Sequence, residues 1–380
     1  MGILYRYTVA GHTFAIDMPA QLDEKMVLKP YLPFKSMDSS NDLFRLKVNF
    51  VPDSGVLPIG NLVERFNDDP PYMWLFEAGE ANAEAVSINP LGRYVFGFSN
   101  NESQSDCYLF TSPDMKEAEV CLPYNLLKIF SQASIQDHSL VTSLAGRGAA
   151  WLKKGDDAIP LIGGHHGNPL TTDPDGKSDS VTKEAAKVKK MSDSAQRLYA
   201  AQNYMEFVLT NCMMMLYTAN SAKYDTLMTH SSLVRYKGKA YMFLGKSGTG
   251  KSTHSSLWLK YIEGAELMND DNPVIRIVDS VPMVYGTPWS GKTPCYKNIE
   301  APLGAIVRLT QASENNISRL NVLSSFAALL PSCSCMKWDH DSVTYVHKTL
   351  EKVIMSVPVY GLDCLPDEEA ARVCCDAITR

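Results

Sequence analysis

The fold of this 380-residue chain is decided by the stretch Gly245-Lys246-Ser247-Gly248-Thr249-Gly250-Lys251-Ser252. It matches the pattern G-x-x-x-x-G-K-[ST] at every specified position. The apolar run 241–244, Tyr-Met-Phe-Leu, comes directly before it and predicts a strand. Residues 252–262 predict a helix that stops before Gly264. A strand, a glycine-rich loop and a helix in this order indicate an α/β domain.

The residue types in this stretch suit phosphate binding. Glycines let successive backbone N–H groups curl around phosphate oxygens, and the N-terminus of the following helix favours negative charge. Lys251 is expected to reach the β- and γ-phosphates, and the Ser252 hydroxyl is expected to bind Mg²⁺. We therefore expect residues 245–253, as far as Thr253, to hold ATP and Mg²⁺. The alternative is a glycine-rich turn with an incidental lysine.

Two adjacent carboxylates follow one helix later. Residues 266–271 read Glu-Leu-Met-Asn-Asp-Asp, a short strand that ends in Asp270 and Asp271. In open α/β sheets, ligands bind at the carboxyl ends of strands, so these acids are expected near the loop. One acid would hold the metal while the other takes a proton from an attacking hydroxyl. On its own, Asp-Asp-Asn-Pro is also typical of a turn.

Composition narrows the function classes. The chain has 36 Lys plus Arg against 42 Asp plus Glu, a net charge of -6, so binding to nucleic acid is not expected. Nine cysteines in 380 residues are too few for a disulfide scaffold. We see no secretory signal and no apolar run long enough to span a membrane, so a cytoplasmic protein is expected.

The chain divides into three stretches by composition. Residues 1–152 predict a β-rich N-terminal domain of unknown role, with a hairpin over 5–17 and an alternating strand over 44–50. Residues 153–192 carry turn residues without periodicity and predict a linker or mobile loop. Residues 193–380 predict the P-loop domain, whose first helix begins with a capping box formed by Asp193 and Gln196.

The second half of the chain resembles the catalytic domain of HPr kinase/phosphorylase, in the P-loop branch shared with phosphoenolpyruvate carboxykinase. The resemblance spans roughly residues 222–380 and rests on His230, the 245–252 loop, Asp270-Asp271 and Ile299-Glu300. It implies an α/β fold and a kinase activity. It also implies that His230 acts near the γ-phosphate, that Asp270 is the general base, and that Asp271 and Glu300 join Ser252 as magnesium ligands.

The resemblance has departures that bear on the acceptor. The family follows its Ile-Glu pair with Arg-Gly, whereas Ala301-Pro302 follows here. The basic C-terminal loop tied to phosphorolysis and to HPr docking is not evident. The sequence therefore predicts a kinase that transfers the γ-phosphate of ATP to a hydroxyl, most plausibly a serine, on an acceptor other than HPr. Related kinases assemble into homo-oligomers, so a homo-oligomer is a further expectation.

Two other functions stay open on the sequence. The first is a non-catalytic regulatory protein, in which ATP binding to the C-terminal domain repositions the β-rich N-terminal domain. The second is chemistry like that of phosphoenolpyruvate carboxykinase, although the chain is short for that enzyme and shows no set of carboxylate-binding arginines beside the site.

Several further side chains are weaker candidates for a role. Lys292 could reach phosphate or substrate, although a solvated lysine is the simpler interpretation. Arg308 could stabilise the charge of a transferring phosphate, but only its position in a strand-like run suggests this role. The cysteines and histidines of the chain invite a zinc interpretation, but their spacing fits no common site, so none is expected. The residues concerned are His165, His166, Cys333, Cys335, His340 and His347.

Overall fold

The computed structural model describes residues 2–38, 41–51, 74–77, 87–88, 94–99, 105–144, 152–154, 157–159, 191–291 and 293–379. His165, His166 and Lys292, which the sequence singled out, lie outside these ranges.

The described chain is a mixed α/β structure with two large sheets. It divides into two compact units that are not contiguous in sequence. The first unit comprises Met1–Tyr7, Phe14–Leu32 and Ser36–Leu216, and the second comprises Thr8–Thr13, Pro33–Lys35 and Tyr217–Arg380. The domain boundaries expected at residues 152 and 192 stay predictions.

An eight-stranded sheet dominates the first part of the chain, in the order β1-β2-β3-β8-β7-β6-β4 with β5 paired to β6. Its strand β3 confirms the strand predicted from alternation, because Leu46 and Val48 are buried while Arg45 and Lys47 are exposed. The strands are β1 Gly2–Val9, β2 His12–Pro19, β3 Arg45–Val51, β4 Trp74–Glu77, β5 Ser87–Ile88, β6 Tyr94–Ser99, β7 Ser105–Thr111 and β8 Glu117–Pro123.

The predicted N-terminal hairpin is present. Its turn residues Ala10 and Gly11 have φ values of 49° and 73°. Positive φ at both central residues is the geometry that joins tightly twisted neighbouring strands. The hairpin tip, Thr8–Thr13, belongs to the second compact unit.

The helices of the first half are α1 Glu24–Val27, α2 Tyr124–Gln132, α3 Ile135–Leu144 and α4 Asp193–Ser221, with a 3₁₀ helix at Lys29–Phe34. The predicted cap of α4 is wrong by one residue. The Ser192 hydroxyl accepts the Ala195 N–H at 3.1 Å, because Ser192 precedes the first helical residue and Asp193 is already within the helix. One face of α4 is apolar and buried, and its residues recur at helical spacing: Met205, Val208, Leu209, Cys212 and Leu216.

Two short paired strands lie at the start of the predicted linker. Strand β9 Leu152–Lys154 pairs antiparallel with β10 Asp157–Ile159. Residues 155–156 and 160–190 lie outside the described residues, and the linker or mobile loop expected over 153–192 stays a prediction.

The second unit is built on a nine-stranded sheet in the order β11-β15-β16-β17-β13-β12-β14, with β19 on β17 and β18 on β19. Its helices are α5 Lys251–Tyr261, α6 Val322–Leu329, α7 His340–Ser356 and α8 Glu368–Ile378, with 3₁₀ helices at Ala222–Tyr224 and Leu330–Ser332. Its strands are β11 Thr226–Met228, β12 Ser231–Tyr236, β13 Lys239–Leu244, β14 Glu266–Asp271, β15 Val274–Val278, β16 Val281–Tyr285, β17 Glu300–Gln311, β18 Asn316–Arg319 and β19 Val359–Cys364.

Strand directions bring three strand ends to one edge of this sheet. Strand β13 is parallel to β17, and both β13 and β14 are antiparallel to the β12 strand between them. Strands β13, β14 and β17 therefore run the same way, and their carboxyl ends meet. Strand β13 leads into the 245–252 loop, β14 ends with Asp270 and Asp271, and β17 ends at Gln311.

Both faces of the sheet are covered. Met242 and Leu244 of β13 pack in a core cluster with Leu350 of α7. Tyr241 and Phe243 of the same strand pack in a second cluster with Trp258 of α5. The uninterrupted apolar run of β13 follows from this burial on both sides, because successive side chains point to opposite faces. The unit is a three-layered α/β/α structure.

Candidate functional site

The loop between β13 and α5 has the backbone shape that glycine permits. Gly248 has a φ of 80° and Gly250, the residue before the helix, has a φ of 105°. These values strain any residue with a Cβ, so glycine is needed at both positions. Lys251 begins α5, whose free N–H groups and helix dipole lie at this end. The loop and helix match the strand–loop–helix prediction.

Lys251 lies against the loop that it follows. Its ammonium donates a hydrogen bond to the carbonyl oxygen of Gly245 at 3.0 Å, and its side chain is largely buried. Burial lowers the pKa of Lys251 from its usual value, while the negative charges of Asp271 and Asp270 oppose that shift. Both carboxylates thus act on the charge of Lys251, and the three residues form one electrostatic cluster.

Ser252 and Asp270 are in direct contact. The Ser252 hydroxyl, in the first turn of α5, donates to Oδ1 of Asp270 at 2.9 Å. Asp270 is 4% exposed, so this carboxylate is nearly enclosed by the protein. The contact joins the helix after the loop to the end of the next strand, and it brings together two of the oxygen donors predicted from the sequence.

Asp271 has a separate partner. Nδ1 of His230 lies 3.1 Å from Oδ1 of Asp271, and the Asn272 amide donates to Oδ2 at 2.8 Å. The His230 side chain is 38% exposed, which leaves one side of this pair accessible. The structure therefore brings together four predicted residues as two couples, Ser252 with Asp270 and His230 with Asp271.

A segment that the sequence did not single out lies beside the carboxylates. The Gly291 N–H donates to the carbonyl oxygen of Asp270 at 2.6 Å, and the Ser290 hydroxyl donates to the same oxygen at 3.3 Å. A Cβ at Gly291 would lie 3.0 Å from Cβ of Asp271, so a larger residue here would crowd the Asp271 side chain. The sequence pointed only to Lys292 in this segment, because it does not show that Gly291 packs against Asp271 in the folded chain.

Gln311 is another residue that the sequence did not identify. Its amide nitrogen lies 3.4 Å from the carbonyl oxygens of both Gly248 and Thr249. Gln311 ends β17, so this contact connects the neighbouring strand to the tip of the loop. The signal that could have found it was the parallel pairing of β17 with β13, which sequence alone does not reveal.

Glu300 and Arg308 occupy different parts of β17. Glu300 pairs with Tyr285, and its carboxylate hydrogen-bonds the Tyr285 hydroxyl, adding to the burial that raises the pKa of that tyrosine. The described contact of Glu300 is thus with Tyr285 and not with the Ser252–Asp270 couple. Arg308 pairs with Leu244, the last residue before the loop, and is exposed.

The donors present suit magnesium better than a metal held by protein alone. Among the described residues, no three His, Cys, Asp or Glu side chains gather as a metal-holding group, and this includes Cys333, Cys335, His340 and His347. Mg²⁺ is usually held by one or two protein oxygens together with substrate phosphates and water. A hydroxyl and a carboxylate, from Ser252 and Asp270, fit that requirement.

A helix that crosses a bilayer needs a long, continuous apolar stretch. Within the part of the chain that the structure describes, no helix has that length and apolar character.

No family model matches this chain, and no curated protein matches it. Among solved structures, the chain is similar to the Hpr(Ser) kinase/phosphatase from Coxiella burnetii. The two are 10% identical, and the match covers 40% of this chain and 93% of that chain with a TM-score of 0.24. A score this low carries no argument about fold or function, so the interpretation of the site rests on its own geometry.

Proposed function

We propose that this protein is an ATP- and Mg²⁺-dependent kinase that transfers the γ-phosphate to a hydroxyl group of a protein, peptide or small molecule. The observation that carries the proposal is the 2.9 Å hydrogen bond between Ser252 and Asp270. It couples the helix that follows a glycine-rich loop to an acid at the end of the adjacent strand, where P-loop enzymes hold their metal.

Nucleotide binding is assigned to the loop and to Lys251. Positive φ at Gly248 and Gly250 gives the loop a tight turn, and α5 begins directly after it, so the N–H groups of its first turn are available to phosphate oxygens. Lys251 would exchange its bond to the Gly245 carbonyl for phosphate oxygens, a charge-assisted contact that is stronger than the one it replaces.

The two acids are assigned different tasks. Ser252 and Asp270 would hold Mg²⁺, which when bound neutralises phosphate charge. Asp271, with His230 at 3.1 Å, would take the proton of the acceptor hydroxyl while the new O–P bond forms and the bond to ADP breaks. The sequence suggested the reverse division, with Asp270 as base and Asp271 on the metal. The Ser252 contact supports exchanging the two.

The proposal is tested by calorimetric titration with Mg-ATP and by release of labelled γ-phosphate. Lys251→Ala should abolish saturable binding, because the variant loses the buried cation of the site. Lys260→Ala is the matched control, since Lys260 lies on the same helix and is exposed at its other end. Equal binding by wild type and Lys251→Ala contradicts the phosphate site. Normal binding by wild type without any γ-phosphate release or transfer contradicts the kinase and favours a nucleotide sensor.

A further inference from the structure

Asp271 has an unusual backbone conformation. Its φ is 142°, in a region that residues with a Cβ rarely adopt. Such a conformation costs free energy and persists only where the surroundings impose it. The residues around Asp271 must therefore hold its backbone in this conformation.

The two peptide groups that flank the Cα atom of Asp271 are both held by hydrogen bonds. On one side, the Asp270 carbonyl accepts the Gly291 N–H at 2.6 Å. On the other side, the Asn272 N–H donates to Oδ1 of Asn269 at 3.1 Å. Rotation about either backbone bond of Asp271 would turn one of these peptide groups away from its partner. The two hydrogen bonds together therefore fix its φ and ψ.

Asn269 and Thr287 form the centre of this arrangement. Both are fully buried, and the Asn269 amide donates to Oγ1 of Thr287 at 3.1 Å. The Thr287 hydroxyl in turn donates to the Asn272 carbonyl at 2.8 Å. Buried amides and hydroxyls are costly unless they are hydrogen-bonded. Both side chains hydrogen-bond the backbone of Asn272, the residue that follows Asp271.

The same pair anchors the segment on the other side of Asp271. The Trp289 N–H donates to Oγ1 of Thr287 at 3.2 Å, and the Trp289 carbonyl lies 3.3 Å from the Asn269 amide nitrogen. Two residues later comes Gly291, which supplies the bond to the other flanking peptide group. One buried amide and one buried hydroxyl thus brace both sides of a strained residue.

We infer that Asn269 and Thr287 are positioning residues, which clamp Asp271 in its positive-φ conformation and so aim its carboxylate at the acceptor hydroxyl. The inference rests on the proposed function for the use of the carboxylate. The clamp itself can be tested independently of any activity.

The first experiment compares glycine with alanine at position 271 by thermal melting of the full chain. In an ordinary strand alanine is more stable than glycine. At a clamped positive φ the order inverts, so Asp271→Gly should melt above Asp271→Ala. Glu266, at the start of the same strand, is the control, and there the alanine variant should melt above the glycine variant.

The same pair is then measured in a Thr287→Val background, with Asn269→Ser as the second background should the first not fold. Breaking the clamp should remove the advantage of glycine at position 271. An alanine variant that melts above the glycine variant in the wild-type background overturns the inference. So does a glycine advantage that persists unchanged in the broken background.

The functional arm uses Mg-dependent release of phosphate from ATP as the probe. Thr287→Val should lower kcat about tenfold or more with KM for ATP unchanged, and Thr287→Ser, which keeps the hydroxyl, should restore it. A rise in KM at constant kcat, or no rescue by serine, contradicts the positioning role. Absence of ATP binding and hydrolysis in wild type would refute the proposed function, while the glycine–alanine comparison would still decide the clamp.

Discussion

At the scale of single residues, Asp270 and Asp271 are neighbours in sequence with different partners. Since Asp270 accepts from Ser252, Asp270→Asn should weaken Mg-ATP binding about tenfold or more. Since Asp271 pairs with His230, Asp271→Asn should leave ATP affinity unchanged and slow phosphate transfer by roughly 10²-fold or more. Calorimetry and phosphate release measure the two effects. The opposite pattern would restore the assignment predicted from sequence.

Two buried histidines should make stability depend on pH. Burial lowers the pKa of His254 to about 4, and burial together with the Arg276 charge lowers that of His12 to about 4. The unfolded chain, with a histidine pKa of about 6.5, binds these protons first. Stability should therefore be full above about pH 6.5 and fall as pH drops toward 4, by about 2 to 3 kcal/mol for each histidine.

Urea unfolding between pH 7 and pH 4.5 measures this dependence. His254→Gln should flatten the slope by about half, because His12 still titrates. His340→Gln, at an exposed position, should leave it unchanged. An unchanged slope in His254→Gln would show that its protonation is not linked to folding.

The candidate site also shows what single residues reveal in sequence. The loop glycines, Lys251 and the two acids were identifiable because their spacing is a local pattern. Asn269 and Thr287 were not identifiable, because the role of each depends on its hydrogen bond to the other, and the two are eighteen residues apart in sequence. The sequence likewise does not show which of the two carboxylates faces Ser252, because that contact depends on the fold.

At the scale of elements, the loop and α5 depend on a backbone turn at Gly250. Its φ of 105° should make Gly250→Ala cost about 1 to 3 kcal/mol of stability and lower ATP affinity, because the cradle distorts. Gly264, beyond the other end of α5, has a φ of 85° with open space around it. Gly264→Ala should therefore lose stability without losing ATP affinity. Equal losses of ATP affinity in both variants would mean that affinity falls with overall stability and not with the shape of the loop at Gly250.

Elements with strong local patterns were predictable. Strand β13, predicted over 241–244, begins two residues earlier, and α5 lies one residue before the helix predicted over 252–262. The antiparallel pairing of β9 with β10 was not predictable, because turn residues alone do not indicate which short strands pair. The pairing of β13 with β17, which are distant in sequence, also has no local signature.

At the scale of the whole molecule, the second compact unit includes residues from the beginning of the chain. The Arg276 guanidinium donates to the Ala10 carbonyl at 2.6 Å, the Tyr217 hydroxyl donates to the Val9 carbonyl at 3.1 Å, and His12 lies 2.9 Å from the Thr226 hydroxyl. A fragment of residues 193–380, the predicted P-loop domain, lacks these partners. We expect it to melt at lower temperature or less cooperatively than the full chain.

Circular dichroism melting of the fragment and of the full chain measures the difference. Arg276→Ala in the full chain should reproduce part of the loss, because it breaks the contact with Ala10 alone. A fragment that melts as cooperatively and at the same temperature as the full chain would establish 193–380 as an independent domain.

The placement of Thr8–Thr13 in the second unit has a consequence for biosynthesis. A ribosome makes these residues long before it reaches the 245–252 loop. Domains usually fold in order as they emerge. The tip of this hairpin can form its contacts only after Tyr217, Thr226 and Arg276 have been synthesised. The second unit therefore cannot be completed until residues more than 200 positions after Thr8–Thr13 have been synthesised.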